Sequence, residues 1–179
     1  MYPIHMQDGA RGVGMGYHDF LETFHFVCRE HIREGRARAF AFIFYDMGHG
    51  ILSEALMQQG FLRLHDRTST DITLFYLHSE ALGLYGKDFN AKFMEILGIR
   101  NHARIPCMVF FRVIENSIQD VSIYHIDEKS PDSAVMVAEL EQYVCEAIKE
   151  LNAEGDISGL TSPLISLGSL IAKLRAFIA

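Results

Sequence analysis

A helix end, a proline and an apolar strand follow one another in residues 97–112, which read LGIRNHARIPCMVFFR. The helix is predicted from apolar residues at three- and four-residue spacing, namely Phe89, Phe93, Ile96 and Leu97. The apolar run from Met108 to Ile114 has the length of a strand. Residues 97–112 therefore predict a connection between a helix and a buried strand, with Pro106 at the junction.

Two further apolar runs predict a parallel pair of strands. Residues 39–45 read AFAFIFY and residues 72–77 read ITLFYL, and continuous apolar runs of this length are typical of strands buried on both faces. A helix predicted over residues 51–64 connects them, and such a crossover is right-handed and gives parallel neighbours. A fourth strand, Ser122–Ile126, follows the turn signal Asn116-Ser117 closely, so we expect it to run antiparallel to the third.

Helices are predicted before and after these strands. One runs from His18 to Gly35, and another follows the Ser130-Pro131 cap with an apolar face of Val137, Leu140, Val144, Ile148 and Leu151. We expect residues 1–17 to form a flexible arm, residues 18–152 a single domain, and residues 153–179 a loop and an amphipathic helix. The apolar stripe of this last helix is Leu167, Leu170, Ile171, Leu174, Phe177 and Ile178. We expect the stripe to pack on its own domain, with a contact to a second chain or another partner as the alternative.

The predicted order of elements, together with residues 97–112, resembles the thioredoxin-like superfamily. A helix there ends in Tyr/Leu-Gly-Ile/Val, which Leu97-Gly98-Ile99 matches, and Ile/Val/Thr-Pro precedes a hydrophobic strand, which Ile105-Pro106 matches. The segment between these motifs, Arg100–Arg104, is a few residues longer than the common spacing. The resemblance covers roughly residues 39–151. It implies a thioredoxin-like α/β fold, a four-stranded mixed sheet flanked by helices, with extra helices at both ends of the chain and a cis bond before Pro106.

The redox centre that this resemblance implies is absent from the sequence. Redox-active members carry Cys-x-x-Cys where the first core strand meets the next helix, because a helix N-terminus stabilises a thiolate and the second cysteine resolves a mixed disulfide. The matching residues 45–52 read YDMGHGIL, without a cysteine. We therefore expect no disulfide oxidoreductase activity. Cys107 is the one cysteine near this position, and we predict a packed, inert thiol there, with a reactive thiol as the alternative.

Polar residues are predicted to gather at the carboxyl ends of the two parallel strands, where ligands of open α/β sheets bind. Asp46 and His49 follow the first strand, and His78 follows the second. Such residues can form a general base, a metal pair or a polar binding patch. The alternative is that the histidines are loop residues without chemistry. No metal site is predicted, since three convergent ligands are needed and the spacing does not show them.

Composition limits the classes of partner. The chain has 179 residues, 49% of them hydrophobic, and a formal net charge of −7. Nucleic-acid binders usually carry a basic excess, so that class is disfavoured. The apolar runs are too short to span a bilayer, and the N-terminal residues lack the apolar core of a signal peptide. The three scattered cysteines do not form a disulfide framework, so we expect no disulfides. Taken with the missing signal peptide and the short apolar runs, this predicts a cytoplasmic protein without membrane contact. No cofactor is expected.

We interpret the chain as a redox-inactive thioredoxin-like protein that binds a peptide or protein partner. The expected binding residues are Asp46, Met47, Gly48, His49, His78, Ile105, Pro106 and Cys107. In redox-active members of the superfamily, the residue before the cis-proline offers its backbone to a bound peptide, and Ile105 matches that residue. Two alternatives stay open. One is a hydrolase or metal-dependent enzyme with a site rebuilt from Asp46, His49 and His78, and the other is a homo-oligomeric assembly protein, for example a homodimer, that uses the C-terminal helix.

Overall fold

The computed structural model describes residues 13–35, 37–46, 50–57, 59–68, 71–76, 84–127, 129–153 and 165–178. Within these ranges, four strands form one mixed sheet, and helices lie on both of its faces. The strands are β1 (Ala39–Phe44), β2 (Ile72–Tyr76), β3 (Cys107–Ile114) and β4 (Ser117–His125). The helices are α1 (Val13–Arg33), α2 (Ile51–Met57), α3 (Gln59–Thr68), α4 (Leu84–Ile96), α5 (Ser133–Ala153) and α6 (Leu167–Ile178).

The strands follow the order β2-β1-β3-β4 across the sheet. β1 and β2 run parallel, with Ile43 opposite Tyr76, whereas β3 runs antiparallel to both β1 and β4. The predicted parallel pair and the predicted antiparallel fourth strand are both confirmed. The four-stranded mixed sheet expected from the sequence is therefore the architecture of the described chain.

Phenylalanines fill one face of the sheet. Because side chains alternate along a strand, every second residue of β1 points to this face. The ring centroids of Phe42 and Phe93 of α4 are 4.9 Å apart, and those of Phe24 of α1 and Phe75 of β2 are 4.8 Å apart. Both pairs adopt the edge-to-face geometry that aromatic rings prefer. The aromatic contacts thus fix α1 and α4 against the sheet.

The opposite face of the sheet carries α5. Phe110 of β3 meets Tyr124 of β4 edge-to-face, and Tyr124 in turn contacts Tyr143 of α5 at a centroid distance of 4.9 Å. The Tyr143 hydroxyl lies 2.9 Å from the backbone carbonyl oxygen of His125 and 2.5 Å from a carboxylate oxygen of Glu139. Helix α5 is therefore attached to the end of β4 by polar as well as aromatic contacts.

Several boundaries differ from the predicted ones. α1 begins at Val13 and not at His18, so residues 13–17, expected in the flexible arm, are helical, while residues 1–12 lie outside the described residues. The glycines of this segment argued for a loop, but helix propensity is a weak prior that the surroundings of a segment override. α4 likewise begins at Leu84, ahead of Asp88.

The β3–β4 hairpin is tighter than the sequence predicted, because β4 begins at Ser117 and not at Ser122. Glu115 and Asn116 have φ angles of 48° and 66°. A two-residue turn in which both residues have positive φ matches the right-handed twist of the strands. The two strands are consequently paired from the turn onwards, with Ile114 opposite Ser117.

The helix predicted over residues 51–64 corresponds to α2 and α3, which lie on either side of residue 58, a position outside the described ranges. Gly60, in the first turn of α3, marks a close approach between helices. A Cβ atom added to Gly60 would overlap the backbone oxygen of Ala55 in α2 and a side-chain methyl of Val137 in α5. Glycine therefore allows the three helices to meet at this point.

The C-terminal helix α6 packs on its own domain. Leu167, Leu170, Ile171 and Leu174 are buried, and α6 contacts α1 and α4. Packing on the same chain is thus confirmed for these four residues, whereas Phe177 is 44% exposed. Neither α6 nor any other helix in the described ranges is long and apolar enough to cross a membrane.

Replacing Gly60 tests the close approach of the helices. Gly60→Ala is expected to lower the free energy of unfolding by about 1–3 kcal/mol, because the added methyl must displace close-packed atoms. Urea unfolding followed by circular dichroism measures the change. Gly168→Ala in α6 is the matched control. A Cβ at Gly168 meets no atom within 4 Å, and alanine favours a helix by up to about 1 kcal/mol. Equal effects of the two changes would contradict the close approach.

Truncating a side chain of α6 tests where its apolar stripe packs. Leu174→Ala is expected to lower the free energy of unfolding by about 2–5 kcal/mol, because it leaves a cavity in the core. The molecular mass from light scattering should not change. Phe177→Ala, at an exposed position, is the control and should cost about 0.5 kcal/mol. A fall in mass at unchanged stability would assign the stripe to an interface between chains.

Candidate functional site

The Ile105–Pro106 peptide bond is cis, as predicted, and it immediately precedes β3. The Pro106 carbonyl accepts a hydrogen bond from the Ile126 N–H at 3.1 Å, which ties the proline to the residue after β4. Pro106 is buried, whereas Ile105 is partly exposed. Because Cys107 pairs with Phe44, the two residues before it lie beside the place where the chain leaves β1.

The approach to this proline is a compact turn. Gly98 follows α4 with a φ of 76°, the left-handed conformation with which many helices end. The Ile99 carbonyl then accepts hydrogen bonds from the N–H groups of His102 and Ala103, both at 2.9 Å. The long segment Arg100–Arg104 is therefore accommodated as a turn that closes on Ile99.

A buried asparagine holds the end of β1. Asn90 of α4 is 1% exposed, and its Nδ2 donates a hydrogen bond of 2.8 Å to the backbone carbonyl of Tyr45, the residue after β1. Its Oδ1 is buried and has no hydrogen-bond partner among the described residues. The chain is therefore fixed from the α4 side at the point where it leaves the sheet.

A cavity of about 280 Å³ lies on the other side of this strand end. Its lining consists of the two residues after β1, the start of α2 with the glycine before it, and one residue of α5: Tyr45, Asp46, Gly50, Ile51, Leu52, Ser53 and Met136. Asp46 and Gly50 are exposed, whereas Tyr45 is 2% exposed. The cavity thus has a rim that faces solvent and a buried phenol in its wall.

Two tyrosines bury their hydroxyl groups near this cavity. Ile43 lies opposite Tyr76, and Tyr45 follows Ile43 by two residues, so both tyrosines point to the face that carries α5. Burial raises the pKa of Tyr76 to about 12 and raises that of Tyr45 further, with a contribution from the neighbouring Tyr76. The Tyr45 hydroxyl has no hydrogen-bond partner within the described ranges. Both phenols therefore stay protonated at neutral pH.

Cys107 is a buried thiol. It is 0% exposed in the interior of the sheet, and this burial raises its pKa to about 12. Since the thiolate is the nucleophilic form of cysteine, the raised pKa of Cys107 disfavours the nucleophilic form near neutral pH. Cys28 is equally buried, and its pKa is also raised by burial. The predicted packing of Cys107 in the core is confirmed, and its inertness stays a prediction.

The structure brings together part of the candidate set. Asp46, Ile105 and Pro106 lie at one end of the sheet, and Cys107 is buried beside them. Met47, Gly48, His49 and His78 lie outside the described residues, so the polar cluster that includes the two histidines stays a prediction. Within the described ranges, no three His, Cys, Asp or Glu residues are grouped as metal ligands.

Sequence reasoning missed Tyr45, Asn90, Ser53 and Met136 as residues of this site. Asn90 carried the clearest signal, because it is a polar residue directly after Phe89 on the predicted apolar face of a helix. Tyr45 ends the first apolar run, and its hydroxyl is the one polar side-chain group in that run. Met136 carried no signal, since its contribution depends on how α5 packs against the sheet.

The raised pKa of Cys107 predicts a pH dependence of stability. The folded protein holds the thiol proton to about pH 12, whereas the unfolded chain releases it near pH 9. The stabilisation is therefore complete below pH 9 and is lost as the pH rises towards 12, by up to about 1.4 kcal/mol per pH unit. Urea unfolding between pH 8 and 10.5, in the presence of a reductant, should show a smaller loss for Cys107→Ala than for the unchanged protein. Equal slopes would contradict the prediction.

Comparisons with known proteins found no match to this chain. The chain matches no protein-family model, no curated protein and no solved structure.

Proposed function

We propose that this chain is a redox-inactive member of the thioredoxin-like superfamily that binds a peptide or protein partner. The partner would bind at the sheet end where Ile105 lies beside Tyr45 and Asp46. The strand order β2-β1-β3-β4, the strand directions and the cis bond before β3 support the assignment to this superfamily. They agree with what the resemblance of residues 97–112 implies for the sheet and the proline.

Two observations support the absence of redox chemistry. Residues 45–52, which match the redox motif of active relatives, contain no cysteine. Cys107 lies close by, but burial keeps its thiol protonated, with a pKa of about 12. A disulfide exchange needs a thiolate to attack the disulfide, and neither position supplies one.

The observation that carries the binding proposal is the solvent-facing cavity beside the end of β1, at the same end of the sheet as the partly exposed Ile105. An extended peptide gains affinity from backbone hydrogen bonds to an exposed segment and gains specificity from pockets for its side chains. Ile105 precedes β3 and lies outside its ladder of hydrogen bonds, so its backbone is suited to the first role. The cavity is suited to the second.

Peptide selection tests this proposal directly. A random peptide library displayed on phage is selected on the full chain, and an enriched peptide is added to the ¹⁵N-labelled protein. The amide signals of Asp46, Gly50 and Ile105 should shift. Ile105→Asp should weaken binding about tenfold or more, whereas Phe26→Asp, at a 65% exposed position on α1, should not. Failure to enrich any peptide, or shifts confined to other surfaces, would contradict the proposal.

An insulin-reduction assay tests the absence of redox activity. With dithiothreitol as the electron donor, the chain should not accelerate insulin precipitation above background, because the described thiols near the site are protonated and buried. Cys107→Ser should give the same rate. A rate clearly above background that Cys107→Ser abolishes would overturn the redox-inactive assignment.

A further inference from the structure

We propose that the outer edge of β4 binds a basic, extended segment of a protein partner, which adds a further strand to the sheet. β3 separates this edge from β1, so the proposal does not depend on the peptide site at the end of β1. Two observations carry it. Backbone groups of β4 point away from the sheet, and carboxylates of α5 lie along the same edge.

Part of the edge is open. β4 is the last strand of the sheet, and near the hairpin its outer side is covered, because the Ile118 N–H donates to the Ile165 carbonyl. Over residues 121–125, no other described segment pairs with this side. Unpaired strand edges are places where proteins add the strand of a partner.

The backbone directions show which groups an added strand would meet. The Ile126 N–H donates to the Pro106 carbonyl at 3.1 Å, so Ile126 faces the β3 side. Because the backbone groups of successive residues point to opposite sides of a strand, His125 faces outwards, and so does Ile123. The Tyr143 hydroxyl already donates to the His125 carbonyl. The edge thus offers the N–H and C=O of Ile123 and the N–H of His125.

Carboxylates of α5 lie along this edge on one face of the sheet. Four residues of the helix follow one another at three- and four-residue spacing: Glu139, Tyr143, Glu146 and Glu150. They therefore share one side of α5. Tyr143 contacts Tyr124 of β4, so this side faces the edge strand. Burial raises the pKa of Tyr124, and the carboxylates of Glu150 and Glu146 raise it further, as expected for acidic groups close to β4.

Two of these carboxylates bind only neutral donors within the described ranges. Glu139 accepts hydrogen bonds from the Asp127 N–H and the Tyr143 hydroxyl. Glu146 accepts one from the side-chain amide of Gln142. A lysine or arginine on an added strand would gain a charge-assisted hydrogen bond here, whereas an acidic side chain would be repelled.

The same charges argue against a second copy of this chain as the partner. Pairing two β4 edges about a two-fold axis would bring two acidic sides of α5 together. Only every second side chain of an added strand points to α5. On the other face, the partly buried Ile123 favours an apolar or β-branched neighbour. The expected segment therefore alternates lysine or arginine with valine or isoleucine.

A synthetic peptide tests the charge preference. The acetylated and amidated peptide TKVKVKT is added to the ¹⁵N-labelled chain, and TEVEVET is the control. The lysine peptide should shift the amide signals of Ile123 and His125, whereas the glutamate peptide should bind at least about tenfold more weakly. Shifts confined to other surfaces, or equal binding of the two peptides, would overturn the proposal.

Backbone methylation distinguishes an added strand from charge attraction alone. One peptide is N-methylated at both valines of TKVKVKT and another at two of its lysines. In an added strand, only one alternating set of N–H groups faces β4. One methylated peptide should therefore bind at least about tenfold more weakly than the parent, while the other binds like it. Equal effects of the two methylations would contradict strand addition.

A protein variant locates the charge preference on α5. Glu146→Gln should reduce the affinity ratio between the lysine and glutamate peptides to about threefold or less. Glu22→Gln is the matched control, since Glu22 is an exposed carboxylate of α1 on the other face of the sheet, and the ratio should stay near its original value. A ratio that Glu146→Gln leaves unchanged would overturn the role of the α5 carboxylates.

Hydrogen exchange of the free chain tests whether the edge is open. The amide hydrogens of Ile123 and His125 should exchange at least about tenfold faster than that of Tyr124, which lies opposite Met108 and faces β3. The lysine peptide should slow the exchange of the first two. Slow exchange of both in the free chain would show that the chain itself occupies the edge, and the proposal would fall.

Discussion

The complete burial of β1 constrains the rest of the structure. All six residues of β1 are buried, with β2 and β3 at its edges, the phenylalanine layer on one face and the second helical layer on the other. The backbone of such a strand can meet solvent only at its two ends. At the first end, Arg38 contacts Asp71, Asn152 and the Leu151 carbonyl, so one guanidinium joins β1 to the start of β2 and the end of α5.

The other end of β1 is different, because it combines buried polar groups that lack partners in the described chain. The Tyr45 hydroxyl and the Asn90 Oδ1 belong to this group. The contrast with His31 is instructive, since this buried histidine of α1 has a hydrogen bond of 2.7 Å to the Thr73 hydroxyl of β2. Proteins depart from the rule of satisfied buried polar groups mainly where function requires it. This asymmetry between the two strand ends is the physical reason to look for a ligand at only one of them.

The strands of the fold could be predicted from the sequence, whereas contacts between distant elements could not. Apolar runs identified the strands, and the resemblance of residues 97–112 to the thioredoxin-like superfamily implied the cis bond before Pro106. The face of the sheet to which each side chain of β1 points could not be predicted, because a strand buried on both faces has no period of two in its hydrophobicity. The close approach at Gly60 and the bond from Asn90 to Tyr45 depend on long-range packing, which local sequence patterns do not contain. Of the site, Asp46 was predictable from the end of a strand and Ile105 from the family resemblance, whereas the cavity lining also needs α5 in place.

The start of α6 has a consequence for the outer edge of the sheet. β4 is an edge strand, and its first residues are covered by the chain that leads into α6. Ser117 bridges to Ser166, the Ile118 N–H donates to the Ile165 carbonyl, and the Leu167 N–H donates to the Asn116 carbonyl. Exposed strand edges are templates on which other chains aggregate. By occupying the edge next to the hairpin, residues 165–167 shorten the length of β4 that stays open to pairing with the strand of another chain.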